Sequence, residues 1–448
     1  MRPRSLLLLM LLLGVAAFWL TACGGSGQTG TTAAGTDTTA VGSETTGVTV
    51  SPGAQPVRIV FNAELSGALV YDAALVKQGV RTALEMLNNQ IMGRPIQFVE
   101  IDNTSDPLRA VEATRTLLEF EKNEKVKKAP VDFICGPLSS AAVAGVTFFL
   151  SQRDKAWERI PQCSVTAQPS DNIVTSGRLG FIPNGIYQSY GYYLGNFASE
   201  VLQYKTANCI HYTDRISEEI QKGFAQGFAE GGGTVSGLIY VPPDTTDFTG
   251  YLAAFTPADC TMFWVRGKGA IPFVRQYAAS GLTGALLVPM ASNYSESQLE
   301  YLGALGLGLG IIGSDIYTPM LDNAQNVQFI QAFQRLYPGE YPTPEAFGGW
   351  QAIMLYAEGV KKATEQRAAG LMNADEKLVD PSNPADVIAA MSSLNMETPS
   401  GYVTVTPYSS GKTYLATRDF FILRSKDVGG GRIAWAPIKT YAQVLLGP

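Results

Sequence analysis

The sequence predicts an α/β protein of two doubly wound, Rossmann-like lobes joined by hinge strands. From residue 57 onward, short apolar runs of strand length alternate with segments of helical periodicity, which is typical of parallel α/β layers. The same alternation starts again after Gly180, so we expect a second lobe to follow the first. Two late strand-like runs, near residues 413–425 and 432–440, come after the last long helix. In a two-lobed protein such late segments commonly return to complete the earlier lobes.

The N-terminal segment resembles a bacterial lipoprotein signal. It begins with two arginines, continues with a leucine-rich run at residues 6–13, and ends in small residues before Cys23. We expect residues 1–22 to be removed and Cys23 to become the lipidated first residue of the mature protein. The alternative is an uncleaved membrane anchor, although the apolar stretch is short for a membrane span and contains Gly14.

Residues 23–55 predict a flexible tether. They are Gly, Thr, Ser and Ala with almost no large apolar side chains, so the segment cannot bury enough surface to offset the entropy of ordering it. A Gly-rich coil of about 30 residues spans roughly 30 Å on average. Later in the chain no apolar run is long enough to cross a membrane. We therefore expect a cell membrane lipoprotein that faces away from the cytoplasm and is attached through its N-terminal lipid alone.

The first lobe is predicted from four strand-like runs and the helices between them. The helix expected at 71–89 carries apolar residues every three or four positions. Asp106 is a suitable N-cap for the next helix, with Pro107 at its first position, and Ser139 opens the third. The strands are expected at residues 57–62, 96–102, 131–136 and 160–165.

The second lobe repeats this pattern. Helices are expected at 217–230 and 271–280, a further helix at 347–364, and a polar region at 366–384. We expect an N-terminal lobe of residues 56–180 plus 317–417 and a C-terminal lobe of residues 181–316 plus 418–448. The strands of the second lobe are expected at 207–213, 235–241, 260–265, 285–290 and 310–316.

Four cysteines follow Cys23, and the sequence leaves their state open. Each lies in or beside an apolar strand-like run, which is typical of buried free thiols. An even number in an oxidising compartment also permits disulfides. If they pair, we expect Cys135 with Cys163 and Cys209 with Cys260, because each pair then lies on neighbouring strands of one lobe.

Composition and motifs argue against nucleic acid, metal, cofactor and catalysis. The chain has 33 basic and 39 acidic side chains, and its sequence has no basic cluster interleaved with aromatics. It contains no zinc spacing, no HExxH and no phosphate-binding loop. The glycines at 308–313 match the letters of a dinucleotide-binding fingerprint, which must follow a strand and open a helix. Here the glycines precede a strand, so the match does not predict nucleotide binding. His211, the single histidine, either is structural or lines the cleft. We therefore expect a protein that is not an enzyme and has no cofactor. A secreted hydrolase is excluded because the sequence offers no set of residues that contains a general base.

Several stretches together resemble the type I periplasmic solute-binding proteins of ABC importers, in particular their branched-chain amino acid and amide branch. The resemblance covers the chain from Val57 onward and depends on the order and spacing of its motifs. It implies a monomeric, non-enzymatic receptor that closes on a small molecule and delivers it to permease subunits. The motifs are LSG at 65–67, CGPLSSAAV at 135–143, IPQCSVTAQPS at 160–170, YGYYLGNFASE at 190–200, TTDFTGYLAAF at 245–255 and FVRQYAASGL at 273–282.

Physical reasoning places a site where the strand order reverses, between the first and third strands of a lobe. In the first lobe those strands lead to Ser66 and to the Ser139–Ser140 pair. A helix that begins there offers free N–H groups and hydroxyls to a carboxylate or another oxygen acceptor. The two serines are equally well explained as helix caps.

The resemblance adds further positions. It implies that Ser140 contacts the ligand, as do a backbone group and a hydroxyl of the loop 164–168, for which Ser164 and Thr166 are the candidates. Tyr71 is expected either to cover the ligand or to pack.

In the second lobe the acidic residue that the family uses to hold an amino group is missing, because Met290 and Ala291 follow the strand-ending proline. Together with Trp264 and Arg266, Met290 favours an apolar or aromatic body with an anionic end, unless Glu218 replaces the missing acid. An alternative function is an envelope lipoprotein of the same fold that acts as a sensor or regulates a cell-wall enzyme. Its mark is a cleft filled by the protein's own side chains.

Overall fold

The computed structural model describes residues 55–120, 131–153, 159–174, 180–408 and 413–447. The predicted signal, the lipidation site Cys23 and the tether up to residue 54 lie outside these ranges. The described strands are β1 (Val57–Ala63), β2 (Gln90–Ile91), β3 (Arg94–Asp102), β4 (Phe133–Cys135), β5 (Gln162–Cys163), β6 (Gly180–Ile182), β7 (Thr206–Tyr212), β8 (Thr234–Val241), β9 (Cys260–Trp264), β10 (Ala285–Pro289), β11 (Ile312–Asp315), β12 (Asn395–Thr398), β13 (Gly401–Tyr408), β14 (Thr413–Asp427) and β15 (Ile433–Leu445).

The helices lie between these strands and cover both faces of the sheet, as expected for a doubly wound fold. They are α1 (Val70–Met86), α2 (Pro107–Phe120), α3 (Ser140–Ser151), α4 (Ser170–Val174), α5 (Tyr187–Asn196), α6 (Arg215–Glu230), α7 (Thr249–Leu252), α8 (Ala270–Ala279), α9 (Glu296–Ala304), α10 (Ala324–Leu336), α11 (Pro344–Ala368) and α12 (Pro384–Met391).

Two parallel half-sheets have the same strand order. The first runs β3-β1-β4-β5-β6, with β2 added antiparallel to β3, and the second runs β8-β7-β9-β10-β11. In each, the first strand in the chain lies between the second and the third, which is the order that reverses beside the first strand. The predicted fold class, a two-part doubly wound α/β protein, is confirmed.

Strand β14 joins the two half-sheets. Its first residues pair parallel with β6, and Phe421–Arg424 pair antiparallel with β11. It also carries β13 and β15 as antiparallel neighbours. The late strands therefore return to earlier parts of the fold, as predicted.

The predicted helices form, with shifted ends. Helix α1 buries Ala73, Val76 and Val80 against α11 and ends at Met86, three residues before the predicted end, because Asn88 and Asn89 adopt left-handed backbone conformations with φ of 50° and 54°.

The predicted polar region at 366–384 is bounded by a longer helix than expected on one side and by a helix that the sequence did not predict on the other. Helix α11 extends to Ala368 and α12 begins at Pro384, where the side chain of Asn383 caps it. Strands β12 and β13 follow where the sequence predicted no element.

Helices α5 and α6 pack through glycines at very close range. A Cβ atom at Gly191 would collide with the backbone of Ile220, and one at Gly227 with the backbone of Tyr192. This contact places the N-termini of α5 and α6 side by side. Tyr187 lies at the start of α5, and Asp214, which follows the carboxyl end of β7, lies at the start of α6.

The four described cysteines are free, buried thiols, which is the first of the two alternatives that the sequence left open. The predicted neighbours do lie together. Cys135 is directly opposite Cys163 in the pairing of β4 with β5, and Cys209 and Cys260 lie on the adjacent strands β7 and β9. Within the described ranges, none of the helices combines the length and apolar character that crossing a bilayer requires.

Candidate functional site

The site lies at the carboxyl ends of the strands where each half-sheet reverses its order. In the first half these are β1 and β4, which end at Ala63 and Cys135, and in the second half β7 and β9, which end at Tyr212 and Trp264. The loops that follow these strands carry the polar groups described below. Their position agrees with the rule that ligands bind in such crevices.

Glu64 occupies part of the helix N-terminus that the sequence offers to a ligand. Its fully buried carboxylate accepts hydrogen bonds from the N–H groups of Leu138 at 3.1 Å and Ser139 at 3.0 Å, ahead of α3. Burial raises the pKa of Glu64, and these two N–H donors oppose the shift. A ligand acceptor at this helix therefore meets Ser140 and not the preceding N–H groups.

The predicted serines divide into a cap, a site residue and a loop support. Ser139 is the N-cap of α3, with its hydroxyl accepting from the N–H of Ala142. Ser140 is the first residue of the helix, and its buried hydroxyl lies near the phenol of Tyr187. Within the described part of the chain this hydroxyl makes no hydrogen bond of ordinary geometry with Tyr187 or with another group. Ser164 is fully buried and donates to the carbonyl of Thr166, so its hydroxyl is engaged inside its own loop.

Tyr187, the first residue of α5, connects the two sides of the site. Burial raises the pKa of its phenol, and the nearby hydroxyl of Ser140 and the positive charge of Arg266 oppose the shift, as does the hydroxyl of Thr166. Thr166 in turn donates to the carbonyl of Leu138 at 2.9 Å. One buried phenol thus lies close to hydroxyls of the first half-sheet and to a cation of the second.

Trp264 and Arg266 form the opposite wall. The guanidinium of Arg266 lies 5.6 Å from the ring centre of Trp264 and pairs with Asp214, the N-cap of α6, at 3.1 Å. Trp264 is 2% exposed. Across the described residues, neither its indole N–H nor the Nε of Arg266 finds a hydrogen-bond partner.

His211 lies next to Trp264, on the adjacent strand. The two residues are paired in the register of β7 and β9, so their side chains leave the same face of the sheet. The Nδ1 atom of His211 is 2.8 Å from the carbonyl oxygen of Tyr212, and the ring is fully buried. Burial lowers the pKa of His211, so the imidazole is neutral at pH 7.

Met290 adopts a left-handed backbone conformation with φ of 51° after β10, and its side chain packs against the core cluster that contains Trp264 and Tyr187. No carboxylate follows it in the loop, because the next residue is Ala291. Glu218, the proposed substitute, is exposed and pairs with Lys222 at 3.9 Å. Ligand contact by these residues stays a prediction.

A group of carboxylates that the sequence reasoning missed lies beside the site. Burial raises the pKa of Glu345, at the start of α11, to about 7, and the negative charges of Asp315 and Asp72 add to this. Burial also raises the pKa of Asp315 to about 6, against hydrogen bonds from the N–H groups of Ser292 and Ile316. Desolvation raises the pKa of Asp72, and the positive charge of Arg266 opposes this shift.

Two predicted site residues are more exposed than the rest. The hydroxyl of Ser66 donates to Asp102 at 2.7 Å, and Tyr71 is 66% exposed at the second position of α1. Of the other predicted residues, Ser140, Thr166 and Arg266 lie close to Tyr187. Trp264 belongs to the same core cluster as Tyr187, and Met290 packs against that cluster.

Sequence reasoning missed Tyr187, Asp72, Asp315 and Glu345, and left His211 undecided. A single sequence gives no local signal for these four residues, because only the folded chain brings their segments together at the site. Among the described residues, no group of three or more His, Cys, Asp or Glu side chains is arranged to hold a metal ion.

Comparison with known proteins gives one family and several solved structures. Residues 56–430 match the family model described as "Periplasmic binding protein". A solute-binding protein of an ABC transporter from R. palustris, solved with benzoate, is 22% identical, with 88% of this chain and 97% of that chain covered and a TM-score of 0.66. A substrate-binding protein of an ABC transporter from Sphaerobacter thermophilus is 20% identical, with 87% and 98% covered and a TM-score of 0.70.

A third structure is the leucine-, isoleucine-, valine-, threonine- and alanine-binding protein of Brucella ovis in a closed conformation. It is 16% identical, with 87% of this chain and 96% of that chain covered and a TM-score of 0.70. At these identities the solved structures support the fold alone. No curated protein sequence matches this chain.

Proposed function

The chain belongs to the periplasmic binding protein family, whose members bind solutes outside the cytoplasm, and we propose that it is the solute-binding lipoprotein of an ABC importer. It captures a small organic solute between two lobes and delivers it to the permease subunits. The lobes are residues 56–180 with 317–417 and residues 181–316 with 418–448. Cys23 carries the lipid that holds the protein at the membrane.

The observation that carries the proposal is the distribution of unsatisfied polar atoms. In the parts of the chain that the structure describes, the buried Oγ of Ser140, Nε1 of Trp264 and Nε of Arg266 have no hydrogen-bond partner. They lie at or just beyond the carboxyl ends of β4 and β9, one strand from each half-sheet, and Ser140 and Arg266 are both close to Tyr187. Leaving a buried polar group unpaired costs about 1–3 kcal/mol, so a ligand that pairs these atoms gains from both walls at once.

The same residues favour a carboxylate or amide with an apolar or aromatic body. Trp264 and Met290 supply an apolar surface, and Ser140 and Arg266 supply donors for oxygen atoms. Solved relatives include proteins in complex with benzoate, 4-hydroxybenzoate and isoleucine. The ligand range of the proposal therefore runs from branched-chain amino acids to aromatic acids.

A thermal-shift panel of amino acids, aliphatic acids and aromatic acids tests the proposal. A ligand at one hundred times its Kd contributes about 2.7 kcal/mol, which raises the melting temperature by roughly 5 °C. We expect at least one carboxylate or amide to give this rise, and the combined substitution Ser140→Ala and Trp264→Ala to abolish it.

The matched control combines Ser151→Ala with Trp435→Phe. Ser151 ends the same helix α3, and the indole of Trp435 already donates to the carbonyl of Tyr294 at 2.9 Å. The control should keep the full shift. A panel without any shift in the wild-type protein would contradict the receptor proposal.

A second candidate function is a sensor, or a regulator of a cell-wall enzyme, with the same fold. One observation favours it: Tyr187 and Trp264 are only 8% and 2% exposed, so the protein's own side chains fill much of the site. Under this second proposal, no ligand of the panel raises the melting temperature of the wild-type protein, and none raises that of Trp264→Ala. The same experiment therefore decides between the two.

A further inference from the structure

His211 and Trp264 form a pair of unsatisfied groups with opposite hydrogen-bonding character. The carbonyl oxygen of Tyr212 can only accept, so the Nδ1 atom 2.8 Å away carries the proton. In neutral imidazole the Nε2 atom is then an acceptor. The indole Nε1 of Trp264 is a donor. Throughout the described residues, neither of these two buried atoms has a partner.

Three features bring the two atoms to the same part of the fold. His211 and Trp264 are register partners on β7 and β9, the strands between which the second half-sheet reverses its order. Tyr240, the register partner of His211 on the other side, covers that side of the imidazole with ring centres 4.8 Å apart. Trp264 belongs to the core cluster of Tyr187 and has the guanidinium of Arg266 over its ring.

We propose that His211 and Trp264 bind one hydroxyl group at the apolar end of the ligand, so that the solute is a hydroxylated carboxylate. This inference rests on the proposed receptor function. A hydroxyl donates to Nε2 of His211 and accepts from Nε1 of Trp264 through a single oxygen atom. A carboxylate in the same place accepts from the indole but meets the lone pair of the imidazole, and an ammonium donates to the imidazole but cannot accept from the indole.

The arrangement makes His211 and Trp264 specificity-determining residues. An analogue without the hydroxyl leaves both buried groups unpaired and therefore binds more weakly. The carboxylate end of the solute lies at the other wall, where Ser140 offers its hydroxyl. Recognition of the two ends by different half-sheets distinguishes such a solute from a plain aliphatic or aromatic acid.

Calorimetric titration with matched ligand pairs tests this inference. The pairs are benzoate with 4-hydroxybenzoate, and 3-phenylpropanoate with 3-(4-hydroxyphenyl)propanoate, which differ in length. For at least one pair we expect the hydroxylated acid to bind the wild-type protein about 10- to 100-fold more tightly. In His211→Phe and in Trp264→Phe this ratio should fall below about threefold.

The ratio is a readout that a merely structural role does not move, because general loosening of the protein weakens both members of a pair. Trp435→Phe is the control, since its indole is already paired with Tyr294, and it should preserve the ratio. Equal affinities in the wild-type protein, as expected if a water molecule fills the place, would overturn the inference. So would a preference that survives in both variants.

These two failures leave the receptor function standing, because the unhydroxylated acids still bind. If neither these acids nor any member of the wider panel binds, the proposed function itself fails and the inference fails with it.

Discussion

At the scale of single residues, the carboxyl groups beside the site differ in how well their surroundings accommodate a negative charge. Glu345 and Asp315 are held near each other with pKa values raised to about 7 and about 6. The carboxylate of Glu64, by contrast, has two N–H donors at the start of α3. The first pair makes the stability of the protein depend on pH near neutrality.

Glu345→Gln should remove part of this dependence. The ordinary pKa of a glutamate is 4.5, and burial and Asp315 raise that of Glu345 to about 7. The folded protein therefore holds this proton in a range where the unfolded chain releases it. The resulting stability is fully present below pH 4.5 and is lost as the pH rises through about 7. The whole shift corresponds to about 3 kcal/mol as an upper bound.

Urea unfolding at pH 5 and pH 8 measures the effect. We expect the wild-type protein to lose more free energy of unfolding between these pH values than Glu345→Gln does. Glu358→Gln, on the same helix with an exposed ion pair to Lys361, controls for the loss of a carboxyl. Parallel pH profiles for wild type and Glu345→Gln would show that the proton of Glu345 does not contribute.

At the scale of elements, one strand and its buried arginine connect the two half-sheets. Arg418 lies in β14 and is 0% exposed. Its guanidinium donates to the carbonyl of Pro183, which follows β6, and to that of Ile316, which follows β11. It also donates to Gln351 at 3.0 Å and Ser400 at 2.7 Å. The chain segments that follow β6 and β11 thus meet β14 at one side chain.

Arg418→Ala should therefore destabilise the protein by about 3–5 kcal/mol, because it leaves the carbonyl of Pro183, the amide oxygen of Gln351 and the hydroxyl of Ser400 buried without this donor. Burial lowers the pKa of Arg418 to about 10, so the group is still charged at pH 7. Arg424→Ala, at an exposed position of the same strand, should stay within about 0.5 kcal/mol of wild type. Equal unfolding free energies for the two variants would show that Arg418 does not stabilise the junction between the half-sheets.

The elements also mark how far the sequence could be interpreted alone. Strand patterns and helix caps predicted both half-sheets, apart from β2 and β6, and the position of Ser140, because these signals are local. Glu64 could not be assigned to α3, since its partners are 74 and 75 residues away. Arg418 gave no signal either, because an arginine in a strand is normally exposed and only the fold shows three segments around it. Strands β12 and β13 were missed, although Val403 and Val405 alternate with Thr404 and Thr406 as in a half-buried strand.

At the scale of the whole molecule, the two half-sheets touch beside the site. Glu219 of α6 accepts hydrogen bonds from the N–H of Ser170 at 3.0 Å and from its hydroxyl at 3.2 Å, in the first turn of α4. Trp264 of the second half packs in the same core cluster as residues of β1 and α1. Under the proposed receptor function, a bound solute has to compete with or add to these contacts, and its affinity then depends on an equilibrium between open and closed arrangements.

A double-mutant cycle on ligand affinity tests whether the halves act as one clamp. Ser140→Ala and Trp264→Phe each remove a contact that a solute makes with one half only. If the solute makes both contacts only in the closed arrangement, losing one already weakens closure, and the second loss then costs less. We therefore expect the two changes together to cost less than their sum by at least about 0.5 kcal/mol, measured as Kd for 4-hydroxybenzoate.

Ser140→Ala combined with Trp435→Phe is the reference cycle, because the indole of Trp435 is engaged with Tyr294 in the second half-sheet and has no part in the clamp. These two changes should be additive. Additivity in both cycles would mean that the walls bind independently and that closure does not contribute to affinity. Non-additivity confined to the Ser140 and Trp264 cycle requires a mechanism that links the two walls, and strand β14 with Arg418 is the covalent and hydrogen-bonded connection between the two half-sheets.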